Sequence, residues 1–284
     1  MNRKILILGS HGTLGQVLTA EFGKDGNIVT GWDRDELDIT SNEAETKIAE
    51  LNPDIIINAT AYNATDPMQI DPEAKKVGFL MNSEVPGKLA GIAKKVDAIF
   101  IHYSTDYVFD GTKKDGYVET DMPNPISVYG ESKYEGEKNA QKFDEKYYII
   151  RLSRLFGEKG SSELSKRSFV EIMRGEIDKP KLMVKNEEVG SPTYAPDAAK
   201  FTKDLVDSNS PYGIYHGTNS GSCTWYEWAE EIFKDLGHGP KLIEGHAKDY
   251  NNPAPHPQFS ILLNTKRPSQ RSWQEALSEF LQNK

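Results

Sequence analysis

Tyr129 and Lys133 are spaced four residues apart, which on a helix puts both side chains on one face, one turn from each other. A phenol beside an ammonium is a proton-transfer pair. The hydroxyl gives its proton to an oxygen that is gaining negative charge, and the cation favours the phenolate left behind. Ahead of them lies Ser104-Thr105-Asp106, where the Thr105 hydroxyl can hold and orient a carbonyl oxygen. Asp106 has two readings: it touches a substrate, or it caps local backbone. Near the start comes Gly9-Ser10-His11-Gly12-Thr13-Leu14-Gly15. Gly9 permits a tight turn, Gly12 leaves room for backbone to approach a pyrophosphate, and Gly15 lets a helix pack on the sheet. The helix end then offers free N–H groups to the phosphates. The combined chemistry is hydride transfer between a nicotinamide and a carbonyl carbon.

These groups need a scaffold. Lys4 to Leu8 is an apolar, β-type run that leads into the glycine turn, and Leu14, Val17, Leu18 and Phe22 follow with helical period. Asn27 to Trp32 reads as a second strand ending at Asp33. A carboxylate there accepts hydrogen bonds from the adenosine ribose and favours NAD, while Arg34 offsets this for NADP. Asp38 and Ile39 pass near the adenine. A helix capped by Ser41 runs to about Leu51. Asp54 to Asn58 is a third strand, with small residues through Ala61 where a cofactor must lie close. A long helix spans about Asp71 to Lys95, a strand Ala98 to Tyr103, a helix Ser127 to Lys142 and a strand Tyr147 to Leu152. Strands alternating with helices predict a doubly wound, Rossmann-type α/β parallel sheet.

Regularity fades after Arg154. Helices are expected near Ser168 to Gly175, Ala195 to Val206, Thr224 to Leu236 and Ser269 to Leu281, with a Pro/Asn-rich loop from Asp249 to Gln258. The predicted organisation is a dinucleotide-binding domain over 1–153 and 186–215 and a smaller mixed α/β substrate-binding part over 154–185 and 216–284.

Composition narrows the partners. A net charge of −9 argues against nucleic acid or an anionic membrane as the main partner. The single cysteine, Cys223, allows no internal disulfide and fits a reducing compartment. With no stretch long enough to span a bilayer, the expected address is the cytoplasm. The six histidines show no metal-ligand spacing, so no metal is expected.

The order of the three motifs resembles that of the extended short-chain dehydrogenase/reductase superfamily. Longer segments resemble the dTDP-4-dehydrorhamnose reductase family: Ser104-Thr105-Asp106-Tyr107-Val108-Phe109-Asp110-Gly111, Val128-Tyr129-Gly130-Glu131-Ser132-Lys133, Gly190-Ser191-Pro192-Thr193 and Gly213-Ile214-Tyr215-His216. The resemblance covers nearly the whole chain. It implies Thr105, Tyr129 and Lys133 as the working triad. It also implies cofactor contacts at Gly12, Thr13, Leu14, Asp33, Asp38, Ile39, Ala61, Tyr62, Asn63 and Tyr103, and hexose contacts at Thr105 and Asp106. The cofactor would be NADPH or NADH, the substrate a nucleotide sugar, and a homodimer one arrangement of the chain.

Three departures stand out. The family's Arg-Thr-Ser-Trp is here Arg151-Leu152-Ser153-Arg154, so Arg154 replaces the indole that lies against the sugar. Arg154 therefore either reads a more polar sugar, swings into solvent or pairs with an acid. A familiar Arg-Pro is His256-Pro257. The family's acidic cluster for metal-linked dimerisation is not matched after Asp66. Two other functions share much of this pattern. One is a sugar-nucleotide epimerase or dehydratase that retains its cofactor. The other is a non-catalytic dinucleotide-binding subunit, of the kind that regulates methionine adenosyltransferase.

Overall fold

The computed structural model describes residues 2–282. Five strands of the first half, β1 (Lys4–Leu8), β2 (Ile28–Trp32), β3 (Ile55–Asn58), β4 (Ile99–Thr105) and β5 (Tyr147–Leu152), form a parallel sheet in the order β5-β4-β3-β1-β2. Alternation along each strand sorts its side chains between two cores. Ile5, Ile7, Ile57, Ile101 and Ile150 face one side, where α1 (Thr13–Gly23) packs. Leu6, Leu8, Ile56, Phe100 and Ile149 face the other, covered by α2 (Glu43–Leu51) and a later helical layer. Both faces are buried, as an all-parallel sheet requires.

That later layer is segmented where one long helix was expected. It starts earlier, as α3 (Thr65–Ile70), and breaks at Asp71. Pro72 cannot donate to the preceding turn, so it opens α4 (Pro72–Phe79) at its first position, with the Asp71 side chain accepting from Glu73 N. A π-helical turn at Leu80–Glu84 joins α4 to α5 (Val85–Lys95). The Ser41 cap is not formed: α2 starts at Glu43 without a side-chain cap. By contrast, the Ser127 hydroxyl accepts from Gly130 N and starts α6 (Val128–Phe143). Within the core, Arg151 of β5 and Glu137 of α6 form a bidentate ion pair of 2.9 and 2.7 Å. It fixes α6, and so its Tyr129 and Lys133, against the sheet.

After β5 the strands shorten. They are β6 (Leu155–Phe156), β7 (Lys181–Lys185), β8 (Val189–Gly190), β9 (Thr193–Tyr194), β10 (Gly213–His216), β11 (Cys223–Thr224), β12 (Lys241–Gly245) and β13 (Phe259–Ser260). Of these, β10 returns to the central sheet beside β5, and α8 (Ala195–Asp207) packs on α1. The others form small sheets, β11-β8-β13, β12-β7 and β6-β9. They lie around a third core that includes the buried Trp228, with α7 (Phe169–Gly175), α9 (Trp225–Asp235) and α10 (Trp273–Gln282). Val189 and Gly190 of β8 pair with β11 and β13 and not with the central sheet. The last helix begins at Trp273 rather than Ser269, because Ser272 and Glu275 form a reciprocal cap. No helix among the described residues is long and apolar enough to cross a membrane.

Candidate active site

The carboxyl ends of β1 to β4 lie along one edge of the sheet, where open α/β sheets bind ligands. The glycine turn follows β1, Asp33 follows β2, Ala59 to Asn63 follow β3, and Thr105 ends β4.

At the β4 end the polar groups are buried and tied together. Lys133 Nζ donates to the Tyr103 carbonyl at 2.6 Å. Burial lowers its ammonium to about 8, against the opposing pull of the Glu137 carboxylate. The Tyr129 hydroxyl donates to Asn63 Oδ1 at 3.2 Å. Desolvation pushes this phenol well up, although the Thr105 hydroxyl draws it back. The sequence reading had Lys133 lowering the Tyr129 phenol; here burial outweighs any such help, and the ammonium is engaged by a carbonyl. Thr105 Oγ1 donates to Asp106 Oδ1 (3.0 Å) and accepts from Tyr107 N (3.2 Å). Asp106 Oδ2 accepts from Ser153 Oγ at 2.8 Å. Burial raises the Asp106 carboxyl, opposed by the hydroxyls of Ser260, Ser153 and Thr105 and by the charge of Arg154.

The cradle at the β1 end fits a dinucleotide. Gly9 has φ +79°, the left-handed region that a tight turn needs, and a Cβ on Gly15 would lie 2.0 Å from Gly9 O. Gly12 N donates to Gly9 O, and α1 starts directly after it with no acidic residue in its first turn. Leu14 is buried in the core, so only its backbone faces the turn, and the Thr13 hydroxyl lies 3.2 Å from Ser165 Oγ. Asp33 is less free than expected: Oδ2 accepts from His11 N (3.2 Å) and Oδ1 from Arg34 N (2.9 Å), so its carboxylate also braces the turn. Arg34 is exposed. Asp38 is exposed and accepts from Thr40 N and Oγ1, which lower its carboxyl. Ile39 is buried. After β3, Ala61 and Tyr62 are half-buried and Asn63 exposed.

Tyr103 meets Lys133 through its backbone carbonyl, while its side chain points elsewhere. Its ring lies in the core shared with α8, and its hydroxyl meets Thr202 Oγ1 at 2.6 Å. Strand alternation turns it away from Lys133, so Tyr103 offers the site a carbonyl only.

Arg154 neither swings into solvent nor takes an acid as its hydrogen-bond partner. Its backbone is left-handed (φ +47°). Nη1 donates to Cys223 O (2.7 Å), Nη2 to Glu188 O (2.8 Å), and the guanidinium stacks 4.1 Å from the Trp225 ring centre. Beside it, burial disfavours the Glu188 carboxylate, yet His256 and Lys185 hold its carboxyl down at about 2. His256 also packs edge-on against Tyr107, which packs edge-on against Tyr129. Thus His256, at the altered Arg-Pro position, contacts the ring that supports Tyr129.

Asn82 is a further residue at this edge, one without a clear signal in the sequence. Its Oδ1 accepts from Tyr62 N (2.8 Å), while its Nδ2 donates to Tyr62 O (3.0 Å) and lies 3.1 Å from Ser132 Oγ. The π turn aims this side chain at the loop after β3, and the only available signal was an Asn inside a helical pattern. Ser153 and Ser260, which hold Asp106, carried no spacing signal because they come from distant segments. His102 and His216 are buried and desolvation lowers both, His216 to about 4. Among the described residues no group of three His, Cys, Asp or Glu is placed to hold a metal ion.

The RmlD substrate binding domain family matches residues 3–284. The spore coat polysaccharide biosynthesis protein SpsK of Bacillus subtilis is 32% identical, with 99% of this chain and 98% of that protein covered. The dTDP-4-dehydrorhamnose reductase of Aggregatibacter actinomycetemcomitans is 34% identical, with 98% of each covered. The crystal structure of dTDP-4-dehydrorhamnose reductase from Bacillus anthracis in complex with NADP superposes with a TM-score of 0.93 at 30% identity, covering 100% of both chains. The buried Thr105, Asp106 and Lys133 with Tyr129 beside them, and the glycine cradle on the same sheet edge, are therefore features of a chain that belongs to the dTDP-4-dehydrorhamnose reductase family.

Proposed function

We infer that this chain reduces a nucleotide-linked 4-keto-6-deoxyhexose, dTDP-4-dehydrorhamnose to dTDP-L-rhamnose, with NADPH or NADH. The observation that carries this is the meeting of Thr105, Tyr129 and Lys133 at the sheet edge that also holds the glycine cradle, in a member of this family. The dinucleotide would be held by Gly9, Gly12, Thr13, Leu14 and Gly15 at its phosphates and by Asp33, Arg34, Asp38 and Ile39 at the adenosine end. Ala61, Tyr62, Asn63, the Tyr103 carbonyl, Tyr129 and Lys133 would line its nicotinamide end. When bound, it supplies the hydride to the carbonyl carbon.

The residues do the rest. Tyr129 gives its hydroxyl proton to the substrate oxygen, so the C=O becomes CH–OH. Burial favours the neutral phenol, which keeps the donor loaded. Thr105 turns its hydroxyl from Asp106 to the same oxygen and orients it. The charge of Lys133, one turn along α6, offsets the phenolate once the proton has left. Asp106 and Arg154 lie on the sugar side. The two-part division of the chain then has a purpose: the larger part holds the dinucleotide and the smaller closes over the hexose. The negative net charge speaks against a nucleic-acid partner, and the lone, buried Cys223 fits the cytoplasm.

The test is purified protein with dTDP-4-dehydrorhamnose and NADPH, followed by loss of reduced-nicotinamide absorbance and by identification of dTDP-L-rhamnose. Binding of dinucleotide without turnover on any 4-ketohexose nucleotide would overturn the reductase reading in favour of a binding subunit.

A further inference from the structure

The glycine turn has a cover. The segment 158–167, between β6 and α7, lies across it. Gln16 Nε2 donates to Glu158 O (2.8 Å), and Ser162 N donates to His11 O (3.0 Å). Gly160 N lies within hydrogen-bonding distance of Thr13 Oγ1 (3.3 Å) and Ser165 Oγ (3.1 Å). The approach is backbone to backbone: a Cβ on Gly160 would sit 2.2 Å from His11 O and 2.5 Å from Gly12 C. From the same segment Lys166 reaches over to the Asn63 carbonyl at 3.5 Å. The segment therefore ties the turn after β1 to the loop after β3, and those two flank the path of a dinucleotide.

Charge gives this crossing a meaning. The turn from Gly9 to Gly15 contains no Lys or Arg, and the chain carries −9 overall. A pyrophosphate entering there meets backbone N–H groups and a helix end, and a nearby cation would offset the negative field of the chain. Lys166 is exposed, has a long flexible stem and, among the described residues, is tethered by a carbonyl at the limit of hydrogen-bond length. An anionic phosphate oxygen is a stronger acceptor for an ammonium than a neutral carbonyl.

We propose that residues 158–167 form a strap over the dinucleotide pyrophosphate, and that Lys166 moves from the Asn63 carbonyl to a phosphate oxygen when the dinucleotide binds. The proposal rests on the dinucleotide reading of the glycine turn. It makes a specific claim, because NADPH and NADH share the pyrophosphate and differ in the 2′-phosphate.

Dissociation constants for both dinucleotides, measured by calorimetry across a salt series, test it in the wild type, Lys166→Met and Gly160→Val. Lys166→Met should weaken NADPH and NADH alike, by about tenfold, as expected for loss of one charge-assisted hydrogen bond. It should also flatten the salt dependence. Gly160→Val should lift the strap, weaken both dinucleotides, and abolish the protection from trypsin that NADPH gives to the strap in the wild type. Unchanged constants in Lys166→Met overturn the proposal. Weakening of NADPH alone also overturns it, because Lys166 would then be reading the 2′-phosphate. Melting temperatures close to wild type keep these readings on binding rather than folding. If the wild type itself bound neither dinucleotide, the reading of the glycine turn would fall and the strap's role with it.

Discussion

At the end of β4, Thr105, Asp106 and Lys133 are buried and held by named partners, whereas at the end of β2, Arg34 and Asp38 are exposed and Asp33 leans on neighbouring backbone. The first region is assembled from distant segments: Ser153, Ser260 and Arg154 all bear on Asp106, and Glu137 bears on Lys133. The second is local, made of contacts within a few residues and one to the glycine turn. Buried groups in a low-dielectric setting are strongly coupled, so changing one disturbs the rest. Exposed groups act nearly one at a time. On the proposed reading, the proton-transfer end is built for fixed geometry and the adenosine end for adjustable preference.

The largest effect should come from the buried end. Tyr129→Phe keeps the ring edge-on to Tyr107 and removes the hydroxyl. Loss of a general acid should lower kcat by about two to four powers of ten, while the dinucleotide dissociation constant stays near wild type. Steady-state rates and calorimetry on the same preparation check this. Near-normal turnover would remove Tyr129 from the mechanism.

Lys133 gives an expectation with two opposite signs. Its folded value is about 8 against an ordinary value of 10.5, because burial disfavours the ammonium. As pH rises through about 8 the charge is lost, so activity in the dinucleotide-free enzyme's binding step should fall. Between about 8 and 10.5 the unfolded chain binds the proton that the folded chain has released. In that window this one group makes the folded state relatively more stable as pH rises. Parallel profiles of kcat/KM and of urea unfolding would show the divergence, and Lys133→Met should lose both trends.

Asp33→Asn tests the exposed end. The amide removes the charge and keeps one acceptor oxygen, for His11 N, while Arg34 N loses its partner. Preference should move toward NADPH by about fivefold, the scale of one like-charge contact near a surface. The ratio of the two dinucleotide dissociation constants reports it. A larger loss for both dinucleotides would mean that Asp33 matters mainly as the brace of the glycine turn.

The same contrast explains what could be read from the residues in order. The sheet was legible because β1, β3, β4 and β5 are apolar runs in regular alternation with helices. The Tyr129–Lys133 pair was legible because helical spacing alone makes them neighbours. Asn82 was hidden, since a π turn breaks the spacing from which a helix face is deduced. The orientation of Tyr103 was hidden too: its ring lies in the core shared with α8, where its hydroxyl meets Thr202. In the smaller part, two-residue strands such as β8 and β11 carry no period, so their pairing depends on contacts far along the chain. Segments 158–167 and 188–190 reach the site only through that pairing and packing.

Arg154 bears on the buried end through its charge beside Asp106 and should give the smallest effect. An indole at this position would offer an apolar face to a deoxysugar and its methyl group. The guanidinium instead stacks on Trp225 and donates to the carbonyls of Cys223 and Glu188. Two of its five N–H donors are therefore committed to backbone, and the remainder can meet a hydroxyl or an anionic group of the sugar. Arg154→Trp should move the ratio of kcat/KM toward dTDP-4-dehydrorhamnose, relative to a more hydroxylated 4-ketohexose nucleotide, by less than about fivefold, below what a single pocket contact usually discriminates. It should also lower stability by about 1–3 kcal/mol, because two carbonyls lose their donors. Kinetics on both sugars separate these effects from each other. A drop in stability with an unchanged ratio would make Arg154 a tie between β11 and the residue before β8 that does not read the sugar, and the hexose would then be selected by Thr105 and Asp106 at the buried end.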